Sequence, residues 1–282
     1  MNKINGILIF ILITIFLIQA KTISAYEIEW SVIQHRVYES GDTRNILAFE
    51  ITDGPNNYVS SASVVTGVVL KSPSDIQVNL SNIVFYPRYD YYRSNFDTVS
   101  NEWVDSSPLQ LSDFQADVLD PLTIGFYTLE VSMDNSQLLS TTINFDYLLD
   151  LPIISSKTFQ IYSDTSGNIH WTWVIPDQLL ALANSYDVQV RAGVAAMNNG
   201  NLVALYFPVV PVEMGYSITP SSIYQDLVDK ADEIRFGFQV RTQDNNARSY
   251  SKRIIIKPPS YSVSVSPKKD ANFFVIPVHT RQ

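Results

Sequence analysis

Apolar and polar residues alternate with a period of two along most of this chain, and this pattern constrains the fold more than any other feature. It is clear in YEIEWSVIQHRVYE from Tyr26, in NILAFEIT from Asn45 and in GFYTLEVS from Gly125. Successive side chains of a β-strand point to opposite faces, so the alternation is typical of strands with one buried face. The sequence therefore predicts an all-β fold.

Turn residues divide the first half of the chain into short strands. ASVVTGVVLKSP from Ala62 ends at a Ser-Pro break, and DIQVNLSNIVFYP then places Ile76, Val78 and Leu80 on one face of a further strand. A Met-Asp-Asn-Ser turn within residues 125–147 separates two more strands. That turn predicts a hairpin.

The second half repeats the strand pattern and adds two helical segments. Seven short strands, separated by Gly, Asn, Asp and Pro turns, lie between residues 157 and 257. Helical spacing appears in PDQLLALAN, residues 176–184, and in SSIYQDLVDKAD, residues 221–232, where we expect a serine cap. These segments predict a second β-sandwich.

A break near Asp150 divides the chain into two predicted domains. The segment DYLLDLPIISSK supplies a proline and a serine pair, after which the strand pattern begins again. Domains commonly hold about 100 to 150 residues, and the apolar content is sufficient for two cores. We expect one β-sandwich at residues 26–150 and another at residues 151–257. The tail at residues 258–282 either adds a final strand or frays.

The first 25 residues have the pattern of a secretory signal peptide. Lys3 precedes an apolar run over residues 6–18, and small residues follow at cleavage positions after Ala25 or Ala20. An uncleaved anchor is the alternative, although the run is shorter than the roughly 20 apolar residues that span a bilayer. Cleavage of residues 1–25 predicts an exported protein of the periplasm, cell surface, cell envelope or secreted fraction, without membrane contact.

Charge and composition exclude several classes of function. The chain has 19 basic and 28 acidic residues, a formal net charge of −9, and no cysteine. An acidic chain repels phosphate, and no basic stripe is visible, so nucleic acid is excluded as a partner and anionic membrane surfaces are disfavoured. Disulfides and thiolate chemistry are also excluded.

Three segments of the second half resemble a fibronectin type III domain. They are NIHWTWVIP, SYDVQVRAGV and EIRFGFQVRTQDNNARSYSKRIII, within about residues 155–257. The resemblance implies inward-facing positions in strands B, C and F, which would be Trp171 or Trp173, Tyr186 and Val188, and Phe236, Phe238 and Val240. The chain departs from the family where residues 221–232 replace the loop before strand F. The segment at residues 198–211 is also long and apolar.

Two shorter motifs of the first half are similar to bacterial immunoglobulin-like domains of exported proteins. They are VSSASV from Val59 and GFYTLEV from Gly125. The resemblance covers residues 26–150. It implies a structural or binding module rather than an enzyme.

No constellation of residues predicts catalysis or a cofactor. His35, His170 and His279 are too far apart for a zinc triad, and no Gly-x-Ser-x-Gly elbow accompanies a histidine, so satisfied or exposed strand histidines are favoured. The acidic groups at residues 113–120 and 226–233 are most simply solvated polar faces. Calcium is the alternative there, but no Asp-x-Asp-x-Asp-Gly loop is present. We expect a non-catalytic protein without cofactor or metal.

The stretch VFYPRYDYYRSNFD, residues 84–97, is the candidate binding surface. Rings interleaved with arginines can stack on sugars or peptides, and the context predicts an aromatic hairpin at residues 84–106. Period two places Tyr89 and Tyr91 on one face, and Asp90 and Tyr92 on the other. We expect at least one of these three tyrosines to face solvent, although plain packing is also consistent with the pattern. The candidate binding residues are Tyr86, Arg88, Tyr89, Tyr91, Tyr92, Arg93 and Trp103.

The sequence leaves two main functions open, besides a third, an enzyme on an unrecognised β scaffold. One is an interaction module that binds a protein or polysaccharide partner. The other is a spacer that stabilises an envelope or extracellular assembly without a ligand of its own. Binding through the first half predicts a response that depends on Tyr89, Tyr91 and Tyr92, whereas a spacer predicts none.

Overall fold

The computed structural model describes residues 26–92, 94–97, 102–105 and 108–257. Most of these residues lie in β-strands, which confirms the all-β prediction. The predicted signal peptide and the C-terminal tail lie outside the described residues. Neither helix of the described part is long and apolar enough to cross a membrane.

The strands alternate with short turns, and two helices interrupt the second half. The first half contains β1 (Glu27–Tyr38), β2 (Thr43–Thr52), β3 (Val65–Lys71), β4 (Val84–Tyr92), β5 (Ser94–Asp97), β6 (Glu102–Asp105), β7 (Leu109–Asp117), β8 (Gly125–Met133) and β9 (Leu138–Phe145). The second half contains β10 (Gln160–Ser163), β11 (Ile169–Thr172), α1 (Asp177–Ala183), β12 (Val188–Asn198), β13 (Asn201–Tyr206), β14 (Val209–Val210), β15 (Tyr216–Thr219), α2 (Ser221–Lys230), β16 (Glu233–Thr242), β17 (Ala247–Tyr250) and β18 (Ile254–Ile256).

Eight of the described strands close into a ring of hydrogen-bonded neighbours. Their order is β1, β2, β7, β4, β13, β12, β16 and β17, and β17 pairs again with β1. Within the ring, two parallel pairs join the halves of the chain, with His35 opposite Ala247 and Tyr91 opposite Leu205. We call these pairs the β1–β17 seam and the β4–β13 seam.

Two three-stranded sheets cover the outer face of the ring. The sheet β3–β8–β9 contributes side chains to a first apolar core, and the sheet β10–β11–β15 contributes side chains to a second. The first core has its largest fully buried side chains at Phe49, Phe114, Tyr127 and Phe145, and the second at Trp171, Tyr206 and Phe236. Burial of one large apolar side chain contributes about 1.5–3 kcal/mol. These cores are the main source of stability.

The ring changes the expected domain organisation. The two-sandwich architecture is not confirmed, because strands of both halves belong to one sheet. Alternation of side chains reports which face of a strand is buried, but it does not report which edge finds a partner in the other half. The boundary near Asp150 stays a prediction, although the buried residues of the two cores divide between Phe145 and Leu151 with one exception, Tyr92 of the first half, which belongs to the second core.

Several local predictions can be compared with the described elements. The hairpin at residues 125–147 is confirmed, since β8 pairs with β9 and the Ser136 N–H donates to the Met133 carbonyl. Both helices are confirmed as well. The serine cap is wrong, because Ser221 is the first helical residue and its N–H donates to Asn168 Oδ1 at 3.0 Å.

The strand expected after Asp75 is also wrong. Isolated bridges join Lys71 to Gln77 and Leu80 to Val118, but the next strand begins only at Val84. Asp75 has a positive φ of 60°, which breaks an extended strand. As a result Ile76 is 66% exposed while Val78 is buried, so alternate residues do not share a face here.

Candidate binding site on the inner face of the ring

The aromatic stretch of β4 is covered rather than exposed. Tyr89, Tyr91 and Tyr92 are 9%, 7% and 8% exposed, so the expectation that one of them faces solvent is wrong. The physical reason is ring closure, which places the second half against both faces of β4. Arg191 Nη1 donates to the Tyr91 hydroxyl at 3.0 Å, and Tyr92 belongs to the second apolar core.

The expected hairpin at residues 84–106 divides into two parts. β4 pairs with β7, while β5 and β6 pair with each other and β5 continues to β14 of the second half. Trp103 lies opposite Phe96 in the short β5–β6 pair, and its side chain is outside what the structure describes. Arg93 lies outside the described residues altogether.

A β-bulge separates Tyr86 from the other tyrosines of β4. Pairing with β7 shifts register between Tyr86 and Tyr89, which leaves Pro87 and Arg88 in the bulge. Proline has no N–H to donate to a ladder, which suits this position. Exposed Arg88 donates to the Tyr58 carbonyl at 2.6 Å and to Asn57 Oδ1 at 2.8 Å, so it holds a neighbouring loop.

The two predicted faces of β4 are confirmed by their contacts. Asp90 and Tyr92 both contact Lys230 of α2, whose ammonium lies 2.7 Å from Asp90 Oδ2 and 3.1 Å from the Tyr92 hydroxyl. Asp226 bonds both Lys230 and Tyr92. Asp226 is therefore part of an ion-pair group rather than only of a solvated face. Tyr89 and Tyr91 belong to the opposite face, inside the ring.

The inner face of the ring is polar. One face of each ring strand packs on an apolar core, so the alternate side chains point inward. The polar side chains of this face include Gln34, Arg36 and Tyr38 on β1, Arg44 and Glu50 on β2, Asp113 and Gln115 on β7, Tyr89 and Tyr91 on β4, Gln189 and Arg191 on β12, Gln239 and Arg241 on β16, and Arg248 and Tyr250 on β17. An eight-stranded ring leaves an interior that side chains of this size can fill.

Four arginines lie side by side across four neighbouring strands of the ring. Register pairs Arg44 with Arg36, Arg36 with Arg248, and Arg248 with Arg241. Partners in register project from the same face, so they form one arginine row. Arg44 is exposed, and the other three are half-buried. The row is a concentration of positive charge inside an acidic chain.

Two tyrosines lie beside this row on the β1–β17 seam. Tyr38 is opposite Tyr250, and their rings stack with centroids 5.2 Å apart. The Arg36 guanidinium lies 5.7 Å from the centroid of the Tyr250 ring, as in a cation–π contact. Burial alone would raise the pKa of Tyr250, but the fields of Arg36 and Arg248 outweigh it and lower that pKa to about 8.

Asp113 of β7 supplies a carboxylate on the inner face. It is 8% exposed and accepts from Gln115 Nε2 at 2.5 Å, so the prediction of a solvated face is wrong for this residue. The reason is that the alternate face of β7 lines the ring. Burial raises the pKa of Asp113, although Gln115, Arg36 and Tyr89 act in the opposite direction. Burial and the nearby Asp113 also raise the pKa of Tyr89 well above its usual value.

Tyr86 of β4 is half-buried and lies opposite Asp113 of β7. Burial and Asp113 raise its pKa, while Arg36 and Arg253 lower it. Sequence reasoning missed Arg36, Tyr38, Arg248 and Tyr250. A usable signal was the shared Arg-x-Tyr pattern at residues 36–38 and 248–250, because parallel pairing of two such strands places like residues side by side.

The histidines are held by local partners. His35 lies 2.8 Å from Asn45 Oδ1 through Nδ1 and 2.7 Å from Asp150 Oδ1 through Nε2. His170 lies 2.8 Å from Asp164 Oδ2 and stacks on Tyr162. These contacts agree with satisfied strand histidines, while His279 is outside the described residues. Among the residues that the structure describes, no group of three or more His, Asp or Glu side chains could hold a metal ion.

Comparisons with known proteins show no family. No family model matches the chain, and no curated protein matches it. A solved structure titled "Biofilm associated protein - BSP domain" is similar at 11% identity and a TM-score of 0.24, over 82% of this chain and 30% of that one. Murine CEACAM1b is similar at 11% identity and a TM-score of 0.18, over 80% of this chain and 98% of that one.

These likenesses are too weak to carry an argument. They agree only loosely with an immunoglobulin-like fold, and they do not support fibronectin type III in particular. The chain spans about 30% of the length of the biofilm-associated structure. The fold described above therefore rests on strand pairing alone.

Proposed function

We propose that this protein is an exported, non-catalytic interaction module that binds a protein or polysaccharide partner. One observation carries the proposal: a tyrosine–arginine cluster, defined as Arg36, Tyr38, Tyr86 and Tyr250, is half-buried, with Arg36, Tyr38 and Tyr250 on the β1–β17 seam and Tyr86 on the inner face of β4. Tyrosine and arginine are the residues most often found at energetic centres of binding interfaces. The immunoglobulin-like character of the first half and location at the cell surface belong to the same proposal.

The cluster suits binding because its side chains are already ordered. Tyr38 and Tyr250 stack on each other, and Arg36 is held over Tyr250 while it donates to Gln34 Oε1. A partner would therefore order few additional side chains on binding, which lowers the entropic cost of association. Accessible tyrosine rings at the cluster offer apolar area together with a hydroxyl donor.

The test uses the full chain in two screens, a glycan array and a cell-surface extract. Wild-type protein is expected to retain at least one ligand, and the Tyr38→Ala/Tyr86→Ala double variant to bind it about tenfold or more weakly, because truncated hot-spot tyrosines commonly cost this much. Affinity is measured by calorimetry on the retained ligand. Unfolding temperatures of both proteins show whether the variant is folded.

The matched control is Tyr216→Ala. Tyr216 is an exposed tyrosine of β15, in the sheet that covers the second core, far along the chain from the cluster. Its loss should leave binding unchanged. If the double variant binds as well as wild type, the tyrosine–arginine cluster is not the binding surface.

A rigid spacer is the second candidate, and ring closure favours it. The halves are joined by two parallel seams rather than by a single linker, so they cannot reorient without breaking strand pairs. A spacer needs that stiffness and no ligand of its own. Failure of wild-type protein to retain any ligand in either screen would favour the spacer.

A further inference from the structure

The arginine row places like charges in neighbouring positions on the β1–β17 seam. Arg36 lies directly opposite Arg248 on one side and opposite Arg44 on the other. Neighbouring strands are about 4.8 Å apart, and like charges in such pairs repel. Within the described part of the chain, Arg36, Arg44 and Arg248 form no ion pair with a carboxylate.

Two buried nitrogen donors on this seam have no acceptor among the described residues. Arg36 donates through Nε and Nη2 to Gln34 Oε1, at 2.8 and 2.6 Å. Because a guanidinium can only donate, this contact fixes the orientation of the Gln34 amide and turns Nε2 elsewhere. Gln34 is fully buried, yet its Nε2 has no partner there, and neither has Arg248 Nε. Buried donors are normally paired.

Two further groups define what kind of ligand would complete the seam. The Tyr250 hydroxyl accepts from Gln239 Nε2 at 2.8 Å and from Arg248 Nη1 at 3.4 Å, which leaves its own proton to be donated. Asp113 interacts electrostatically with both Arg36 and Arg248, and a single carboxylate cannot neutralise two guanidiniums. Between Arg36 and Arg248 the seam therefore offers hydrogen-bond donors and an excess of positive charge.

We propose that the inner face of the β1–β17 seam binds a small oxyanion between Arg36 and Arg248. The Gln34 amide and the Tyr250 hydroxyl are the neutral donors to the same anion. Carboxylate, phosphate and sulfate have the acceptor oxygens that match a planar guanidinium fork. The site shares Arg36 and Tyr250 with the tyrosine–arginine cluster but goes beyond the proposed function, and the two are tested separately: partner binding by Tyr38→Ala/Tyr86→Ala and anion binding by Arg248→Gln.

The experiment measures the unfolding temperature of the full chain in acetate, sulfate and phosphate, each against chloride at equal ionic strength. A bound anion stabilises the native state in proportion to the logarithm of its concentration above its dissociation constant. We expect a saturable rise with at least one oxyanion over chloride, and loss of most of that rise in Arg248→Gln. Arg36→Gln should act alike, but it also leaves Gln34 Oε1 without its donor, so Arg248→Gln is the decisive variant.

Arg88→Gln is the matched control. Arg88 is an exposed arginine of the β4 bulge that donates only to neutral oxygens of residues 57 and 58, so this variant should keep the full oxyanion response. Sulfate and phosphate also stabilise proteins generally by exclusion from the surface, and that part of the rise is the part that survives in Arg248→Gln.

Three results would overturn the proposal. Equal rises in chloride and in all oxyanions would mean that salt only screens the arginine row. A full oxyanion response in Arg248→Gln would place any anion elsewhere. No rise at all would leave the seam without a ligand of this class.

The source of the oxyanion is resolved by comparing acetate with polygalacturonate at equal carboxylate concentration. A stronger response to the polymer would assign the site to a carboxylate carried on a chain. An equal or weaker response would assign it to a free small anion. Either result supports the site, provided that most of the rise in unfolding temperature is lost in Arg248→Gln.

Discussion

The two seams that join the halves of the chain balance their charges differently. At the β4–β13 seam, Lys230 lies 2.7 Å from Asp90 and 2.6 Å from Asp226, so one cation is placed between two carboxylates. At the β1–β17 seam, Arg36 faces Arg248, and within the described part of the chain neither forms an ion pair with a carboxylate; Asp113 acts on both only through its field. The first seam has the composition of a structural joint. The second departs from it, and such local conflicts in natural proteins tend to mark functional sites.

Packing beside the β4–β13 seam gives the largest expected effect. Phe207 follows β13, and its ring occupies the place that a Cβ at Gly193 would take, only 1.8 Å from the nearest ring atom. We expect Gly193→Ala to lower the free energy of unfolding by about 2–3 kcal/mol, because the ring must move within a packed interior. Urea unfolding measures the change.

Gly67→Ala is the control for this substitution. A Cβ at Gly67 of β3 would meet Ser132 at 3.6 Å, an ordinary contact. Its effect should stay within about 0.5 kcal/mol, since surface changes without such a clash are usually that small. Equal effects of the two substitutions would show that Phe207 does not fill the inner face at Gly193.

Removal of the Lys230 ammonium tests whether charge balance stabilises the β4–β13 seam more than the β1–β17 seam. We expect Lys230→Met to cost about 1 kcal/mol of unfolding free energy at low salt, because Asp90 and Asp226 then repel each other, and solvent screening limits these partly exposed pairs. In a chloride buffer, Arg248→Gln is expected to change stability by less than about 0.5 kcal/mol or to increase it, since it removes a like-charge neighbour. A larger loss of unfolding free energy in Arg248→Gln than in Lys230→Met would contradict the view that only the β4–β13 seam is stabilised by its charges.

The smallest expected signal is the titration of one tyrosine among sixteen. Tyr250 faces Arg36 and Tyr38 on β1, Arg248 on its own strand and Gln239 on β16, and its pKa of about 8 lies below the usual value near 10. The folded state thus releases this proton first, and ionisation of Tyr250 adds stability as pH rises from 8 towards 10 and none below 8. Ultraviolet absorbance should show a single phenol titrating near pH 8.

In Arg248→Gln this phenol should titrate at a higher pH, and the gain in stability above pH 8 should shrink. The phenolate would also compete with an oxyanion for the same two arginines, so the oxyanion response should weaken through the same range. A Tyr250 titration that Arg248→Gln does not move would show that the arginine row does not act on this hydroxyl.

Much of the local structure was predictable from the sequence because it depends on neighbours along the chain. The period of two predicted most strands. The helical spacing of Ile223 and Leu227 predicted α2, and these two residues are the buried residues of that helix. The two faces of β4 were also predictable, since alternation is a property of any strand. The strand after Asp75 failed because a single residue with positive φ interrupts it.

The candidate site could not be predicted from periodicity, because its residues come together only through pairing between distant strands. Whether Tyr89 faces water or a second sheet is decided by the β4–β13 seam, and two residues far apart in the chain meet there only through strand pairing. The arginine row likewise arises from the register of three strand pairs. Aromatic density therefore pointed to β4, whereas Arg36, Tyr38 and Tyr250 of the tyrosine–arginine cluster lie on the β1–β17 seam.

Closure of the ring also sets a condition on how the chain can fold. β1 pairs with β17, and roughly 210 residues separate Tyr38 from Ala247, a span that gives slow, non-local pairing in β proteins. Until residues 247–250 are available, one edge of β1 has no partner and can pair with other chains. During folding β1 must therefore be kept apart from neighbouring molecules, and a chaperone that shields an extended segment would have its greatest effect on residues 27–38.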